Sequence, residues 1–226
     1  MVRYETPNSS PAKRRQRNSI TRDEIVASAR ALCERDGVAG LTIRAVADAM
    51  GASPMSLYNH VSTKDELLDG ILDDVMGDLS FTRMDAESWQ QELERFALTL
   101  AAHLDNHRWA VLPLMSRPDP GERTTAVGEI PLAAALRGGL SASVAVTAFA
   151  GILSLVYGRA SFLAAADLPG AQKPAEVDAR IASAMEDRYP ATATVAPELM
   201  RYADPVHLER GVRALISGLT QTMDRA

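Results

Sequence analysis

Side chains suited to contacting nucleic acid are concentrated in residues 41–64, which read LTIRAVADAMGASPMSLYNHVSTK. The Arg44 guanidinium can donate to both major-groove acceptors of a guanine, whereas the Lys64 ammonium can hold a phosphate as a point charge. Between them stand a thioether, a hydroxyl, a phenol, an amide and an imidazole, on Met55, Ser56, Tyr58, Asn59 and His60. Such groups can donate, accept and pair with anions if one exposed surface presents them together.

Two short helices joined by a tight corner must position these side chains. Thr42 is a predicted N-cap for the first helix, and Gly51 stands where that helix would end in a left-handed conformation. Ser53 can cap the second helix, and Pro54 fits its first position, where a missing N–H costs nothing. The sequence therefore predicts a helix, a glycine corner and a second helix.

The apolar residues of this stretch predict the buried faces of both helices. Val46, Ala49 and Met50 share one face of the first helix, and Leu57 and Val61 point inward from the second at i, i+4 spacing. This arrangement is typical of a helix-turn-helix, whose second helix enters the major groove. An ordinary helical hairpin in an all-α protein fits the same spacing.

The segment TIRAVADAMGASPMSLYNHVSTKDELL resembles the DNA-binding signature of the TetR family of bacterial transcriptional regulators. The resemblance covers the first third of the chain closely, and His60-Val61 is similar to the tetracycline-repressor branch. It implies an all-α protein, with an N-terminal three-helix helix-turn-helix domain and a larger helical ligand-binding and dimerisation domain. The implied function is a repressor released from a palindromic operator by a small organic molecule.

The resemblance also implies roles for individual residues in DNA binding. Arg44 would read a guanine, Met55 would suit a thymine methyl group, and Asn59 would contact either a base or a phosphate. Because many relatives carry a long polar residue where Pro54 stands, no operator sequence is predicted. The full set of expected DNA-binding residues is Thr42, Arg44, Ser53, Pro54, Met55, Ser56, Tyr58, Asn59, His60 and Lys64.

The second half of the chain resembles the C-terminal domain of the same branch more weakly. By that resemblance, residues 142–166 and 205–223 pair with their copies in a second subunit as a four-helix bundle, giving a homodimer. In the tetracycline-binding relatives, a histidine near the position of residues 111–115 helps to hold a magnesium–drug complex, and these residues read VLPLM here. We therefore expect an organic ligand other than tetracycline, bound without a metal or cofactor.

Apolar residues of the second half are candidates to line the ligand cavity, with histidines as polar groups. For any single residue, an ordinary place in the packed core is the alternative. The candidates are Trp89, Phe96, Leu100, His103, Leu104, Trp109, Leu114, Met115, Phe149 and Tyr157.

Composition and charge fit this interpretation. Alanine and leucine dominate and β-branched alternation is nearly absent, which favours an all-helical chain. The net charge is −5, yet residues 1–61 carry nine Lys or Arg against six Asp or Glu, so positive charge lies with the DNA-contacting end. The single cysteine, Cys33, excludes a disulfide framework and fits a reducing cytoplasm.

The chain divides into three expected parts. Residues 1–20 form a disordered basic arm, either an idle tail or an extra contact to DNA. Residues 21–66 form the helix-turn-helix domain and 67–226 the helical second domain. Expected helices are 22–36, 64–79, 89–104, a short element between Asn106 and Pro113, and then 130–140, 142–166, 175–188 and 205–223.

Enzymes and membrane proteins are disfavoured. The sequence has no glycine-rich phosphate loop and no G-x-S-x-G nucleophile motif, and His103 and His107 lack an evident third metal ligand. No export signal opens the chain, and the apolar run 142–157 is shorter than a membrane span, so we expect a buried helix. A helical binding module, or an enzyme, that retains a vestigial helix-turn-helix is the alternative to a DNA-binding regulator.

Overall fold

The computed structural model describes residues 20–117, 121–168, 170–171, 189–199 and 201–223. These residues form α-helices and one 3-10 turn, Val38–Gly40, with no strand among them. In chain order the helices are α1 Arg22–Asp36, α2 Ile43–Met50, α3 Pro54–Tyr58, α4 Lys64–Gly77, α5 Trp89–Asn106, α6 Arg108–Ser116, α7 Glu122–Arg137, α8 Ala142–Ala166, α9 Pro190–Leu199 and α10 Pro205–Met223. The all-α prediction is confirmed.

Helices α1 to α4 surround the first of two hydrophobic cores. Leu57 and Val61, predicted to point inward, are 0% and 1% exposed. In α2 the buried residues are Ile43, Val46 and Ala47, so the expectation that Ala49 lies on the buried face is wrong. The reason is that α2 presents its Ile43–Ala47 side to α1, which turns Ala49 toward solvent.

The second core lies among α5, α7, α8 and α10, with Met76 and Leu79 contributed from the end of α4. Phe96, Leu100 and Leu104 form the buried stripe of α5. Helix α6 joins the two cores, because Ala110 is buried in the first, Val111 in the second, and Leu114 packs against both. The helix-turn-helix domain is therefore attached to the larger domain through both α4 and α6.

Three helices extend where proline patterns predicted ends or loops. Helix α6 continues through Pro113 to Ser116, α7 begins at Glu122 and contains a buried Pro131, and α9 contains Pro197. Tertiary packing of α6 and α7 against α4, α5 and α8 outweighs the lost backbone hydrogen bond. The basic arm, the prolines at 118 and 120, and the predicted helix 175–188 lie outside the described residues.

Helix α8 buries one face rather than its whole surface. Its buried side chains recur at helical spacing, at Ala145, Ala148, Ile152, Val156, Ala160 and Ala164. Among the described residues it is the helix long and apolar enough to cross a membrane by length and composition, with 28% of its most apolar window buried. The expectation of a buried helix therefore holds for one side, and the other side is left uncovered by the residues that the structure describes.

Gly51 allows a direct test of the corner between α2 and α3. Its φ is +63°, and a Cβ there would meet no atom within 4 Å, so Gly51→Ala adds backbone strain without a clash. We expect a loss of about 1 kcal/mol in the free energy of unfolding. Gly128→Ala, within α7 and 3.6 Å from the Phe149 ring, is the matched control and should stabilise by about 0.5–1 kcal/mol. Urea unfolding measures both, and equal effects would contradict the left-handed corner.

Candidate functional site

The predicted DNA-binding residues form one exposed face at the start of α2, along α3 and at the start of α4, which we call the reading surface. Nine of the ten are exposed, and Ser56 is half-buried. The Met55 side chain is 72% exposed although it is apolar, which is costly unless something covers it. The buried Leu57 and Val61 hold this face outward from the core.

Local capping sets the orientation of the reading surface. The Ala45 amide donates to the Thr42 hydroxyl at 3.0 Å, and the Ser56 amide donates to the Ser53 hydroxyl at 3.3 Å. At the start of α4 the Glu66 amide donates to Thr63 at 3.0 Å. The amino ends of α2 and α4 carry partial positive charge, which favours nearby phosphates.

Arg44 projects into solvent from the first turn of α2. Its side chain is 86% exposed, and its guanidinium lies 4.0 Å from Asp48, itself 72% exposed. Such an exposed pair contributes little to stability. Arg44 is therefore free to leave Asp48 and bind an external acceptor.

Salt bridges fasten α4 to α1 on one side. The Arg30 guanidinium of α1 donates to Asp74 at 3.0 Å and to Asp78 at 2.5 Å, both at the carboxyl-terminal half of α4 or just beyond it. His103 of α5 contacts the Val75 carbonyl oxygen at 2.8 Å through Nε2. Burial lowers the pKa of His103, so at neutral pH the uncharged ring can donate this bond.

Acidic residues at i, i+4 spacing fasten α4 to the α6–α7 region on the other side. Asp69 pairs with Arg117, and Asp73 accepts from the Thr124 amide at 2.8 Å and the Thr124 hydroxyl at 2.9 Å. Asp73 thereby caps the amino end of α7. Sequence reasoning missed this set, because acidic residues spaced along a helix also fit an ordinary solvated face.

The candidate ligand residues do not meet in one cavity. Phe96, Leu100 and Leu104 are at most 1% exposed in the packed core. The Trp89 ring fills the space beside Gly138, and Phe149 lies beside Gly128. Met115 is 54% exposed. His103 is occupied by its bond to α4, as described above.

Leu114 and Tyr157 are the candidates that share a cavity, of about 80 Å³, between α4, α6, α7 and α8. Leu72 and Asp73 of α4 complete one wall, so this cavity touches the helix that leads to the reading surface. Burial raises the pKa of Tyr157, which keeps its phenol protonated. At about 80 Å³ the cavity is several times smaller than a site for a drug-sized molecule.

Trp109 lines a different and larger cavity, between α1 and the larger domain. Among the described residues, no group of three or more His, Cys, Asp or Glu side chains could hold a metal ion. The expectation of a metal-free site stays a prediction.

Both parts of the chain match models of known protein families. Residues 25–71 match the family model "Bacterial regulatory proteins, tetR family", and residues 83–223 match "Tetracyclin repressor-like, C-terminal domain". A transcriptional regulator of the helix-turn-helix type from Saccharopolyspora erythraea is 33% identical over 210 residues, spanning 90% of this chain and 86% of the relative.

Solved structures agree. A TetR regulator from Streptomyces coelicolor superposes with a TM-score of 0.71 at 26% identity, covering 89% of this chain and 98% of that one. ActR from the same organism, solved in complex with (S)-DNPA, superposes with a TM-score of 0.79 at 21% identity, covering 90% and 98%, and supports the fold alone. The chain therefore belongs to the TetR family of bacterial regulatory proteins, which are ligand-responsive helix-turn-helix regulators of transcription.

Proposed function

We propose that this protein is a homodimeric repressor that binds a palindromic operator and leaves it when a small organic molecule binds. The observation that carries the proposal is the reading surface, where Arg44 and Met55 are largely exposed over the buried Leu57 and Val61. It acts in the cytoplasm, where the DNA is, and it catalyses no reaction.

The residues of the reading surface divide by chemistry. Arg44 donates to a guanine, Met55 contacts a thymine methyl group, and Pro54 and Ser56 face base edges beside it. Tyr58, His60, Thr42 and Lys64 hold phosphates, and Asn59 does either. Ser53 fixes α3 through its cap. The Thr42 hydroxyl caps α2 as an acceptor and keeps its own hydrogen for a phosphate oxygen.

The uncovered face of α8 supports dimerisation. Small residues line it at helical spacing, at Thr147, Ala150, Ser154, Gly158, Ser161 and Ala165. A Cβ on Gly158, or on Gly218 of α10, would meet no atom within 4 Å of the same chain. Small side chains let a second helix approach closely, so α8 and α10 of two subunits can form a four-helix bundle.

The ligand enters between α4, α6, α7 and α8, where Leu114 and Tyr157 already line the small cavity. Opening this cavity displaces α4, because Asp73 joins α4 directly to the amino end of α7. ActR, solved with (S)-DNPA and with actinorhodin, supports an organic ligand for a protein of this fold. The deeper candidates, Phe96, Leu100 and Leu104, become contacts only as the core rearranges.

The release of the operator follows from the distance between the two reading surfaces of the dimer. The two reading surfaces of a dimer must fit half-sites about one helical turn apart, roughly 34 Å or a multiple of it. Because α4 is rigid and held at both ends, a small displacement near Asp73 changes the distance between the two surfaces. A ligand that binds the displaced form then lowers operator affinity by its differential affinity for the two forms.

Arg44→Ala and Lys64→Ala test the DNA-binding roles. We expect Arg44→Ala to weaken specific operator binding by about 1–3 kcal/mol, because a base-reading contact is lost. Lys64→Ala should weaken all sequences alike and reduce the salt slope by about one. Arg83→Ala, an exposed arginine outside the reading surface, is the control. Fluorescence titrations measure the affinity of each variant for the promoter next to the gene and for scrambled duplexes. An equal loss of specificity in Arg44→Ala and Lys64→Ala would contradict the assigned roles.

Ser154→Arg tests the dimer. The substitution places two large cations at a two-fold interface, since each change occurs once in each subunit. Thr125→Arg on α7 is matched, because both hydroxyls donate to the carbonyl four residues earlier, at 2.8 Å each. We expect sedimentation to show a monomer for Ser154→Arg and a dimer for Thr125→Arg. A dimeric Ser154→Arg protein would overturn the proposed interface.

Tyr157→Trp tests the core ligand cavity. The larger ring fills the roughly 80 Å³ space beside Leu114, so a small-molecule extract of the host culture should release wild-type protein from the operator but not this variant. Trp89→Phe, packed beside Gly138, is the control and should respond normally. Release that disappears when EDTA is added would contradict a metal-free ligand.

A further inference from the structure

A second, preformed cavity lies between the DNA-binding domain and the larger domain. Its volume is about 680 Å³, within the range of sites for drug-sized molecules. It is separate from the small cavity at Leu114 and Tyr157, with which it shares no lining residue. Its lining comes from the end of α1, the 3-10 turn, the end of α5, α6 and the end of α8.

The carboxyl ends of three helices meet at this cavity. Helix α1 ends at Asp36, α5 at Asn106 and α8 at Ala166, each at or beside a lining residue. Carboxyl ends carry partial negative charge, and one amino end, that of α6 at Arg108, opposes them. The backbone therefore favours a cation in this space.

The charged side chains also make this cavity negative. Four carboxylates line the cavity, on Glu34, Asp36, Asp105 and Asp167. Each is paired with an arginine, but Glu34 shares Arg30 with Asp74 and Asp78, so the α1 wall keeps an excess of negative charge. Asp105 is held by Arg159 at 2.8 Å and fixes one wall. The Arg108–Asp167 pair is long, at 3.4 Å, and exposed, so an entering cation can displace it at little cost.

Aromatic and apolar surface forms the rest of the lining. The Trp109 indole offers a flat face for a ring or a cation, beside Leu112 and Pro113. Its Nε1–H is buried, and among the described residues it has no hydrogen-bond acceptor. Because that nitrogen has almost no surface accessible to a water-sized molecule, a ligand in the cavity meets the indole ring and not its N–H.

We propose that this inter-domain cavity binds a flat organic cation. The bound molecule contacts the 3-10 turn at Val38 and Ala39, three residues before the α2 cap, and also α6 and α8 of the larger domain. It therefore fixes the orientation of the helix-turn-helix domain relative to the larger domain, from a site other than the cavity at Leu114 and Tyr157. Binding itself does not depend on the proposed repressor function, whereas an effect on operator affinity does.

The test uses the full-length protein without DNA. The probes are 9-amino-6-chloro-2-methoxyacridine, which is cationic at neutral pH, and acridine-9-carboxylate, an anion of similar shape. Calorimetry measures affinity, and the Trp89→Phe background leaves Trp109 as the fluorescent reporter, because the chain has two tryptophans. We expect the cation to bind and quench Trp109, and the anion to do neither.

Two substitutions locate the binding. Ala39→Phe places a ring in the cavity from an exposed position and should lower the affinity for the cationic probe at least about tenfold. Asp167→Asn should lower this affinity about twofold to fivefold. Glu129→Gln, which changes an exposed carboxylate on α7, should leave it unchanged. Equal binding of the two probes, no binding of the cation, or full affinity in the Ala39→Phe protein would each overturn the proposal. Operator affinity measured without probe remains a separate test of the repressor function.

Discussion

The shared position of α4 in two hydrophobic cores is the constraint on which the rest of the structure depends. Leu67, Ile71 and Val75 are buried with the helix-turn-helix, while Met76 is buried with the larger domain. Salt bridges from Arg30 on one side and the Asp73 cap of α7 on the other leave α4 little freedom to move alone. The DNA-binding domain and the larger domain are therefore joined by a continuous helix, with no loop between them within Lys64–Gly77.

The helix ends of the helix-turn-helix domain could be predicted from local signals in the sequence. Thr21, Thr42, Ser53 and Thr63 each cap a helix as short-range side-chain chemistry requires, and Gly51 takes the left-handed conformation expected of it. Capping is decided within four residues, so one sequence suffices to see it. The face of α2 was harder, because which of Ala47 or Ala49 is buried depends on where α1 lies.

Long-range packing decided what the sequence could not show. Pro113 and Pro131 lie inside helices because neighbouring helices stabilise α6 and α7, although local rules place prolines at helix ends. Pro197 also lies inside a helix, α9, which has no buried residue. The cavities were also hidden. Phe96 and Leu100 have the composition of a ligand pocket, yet they fill the core, whereas the inter-domain cavity is built from helix ends and a 3-10 turn far apart in sequence.

The exposed side of α8 has a consequence for how the protein behaves in small amounts. A folded subunit on its own shows a long apolar helix to water, so its free energy of folding includes that of association and varies with concentration. By mass action, the concentration of dimer falls with the square of the concentration of free subunits. Dilution alone therefore weakens both the fold and any activity that needs two subunits, without an effector.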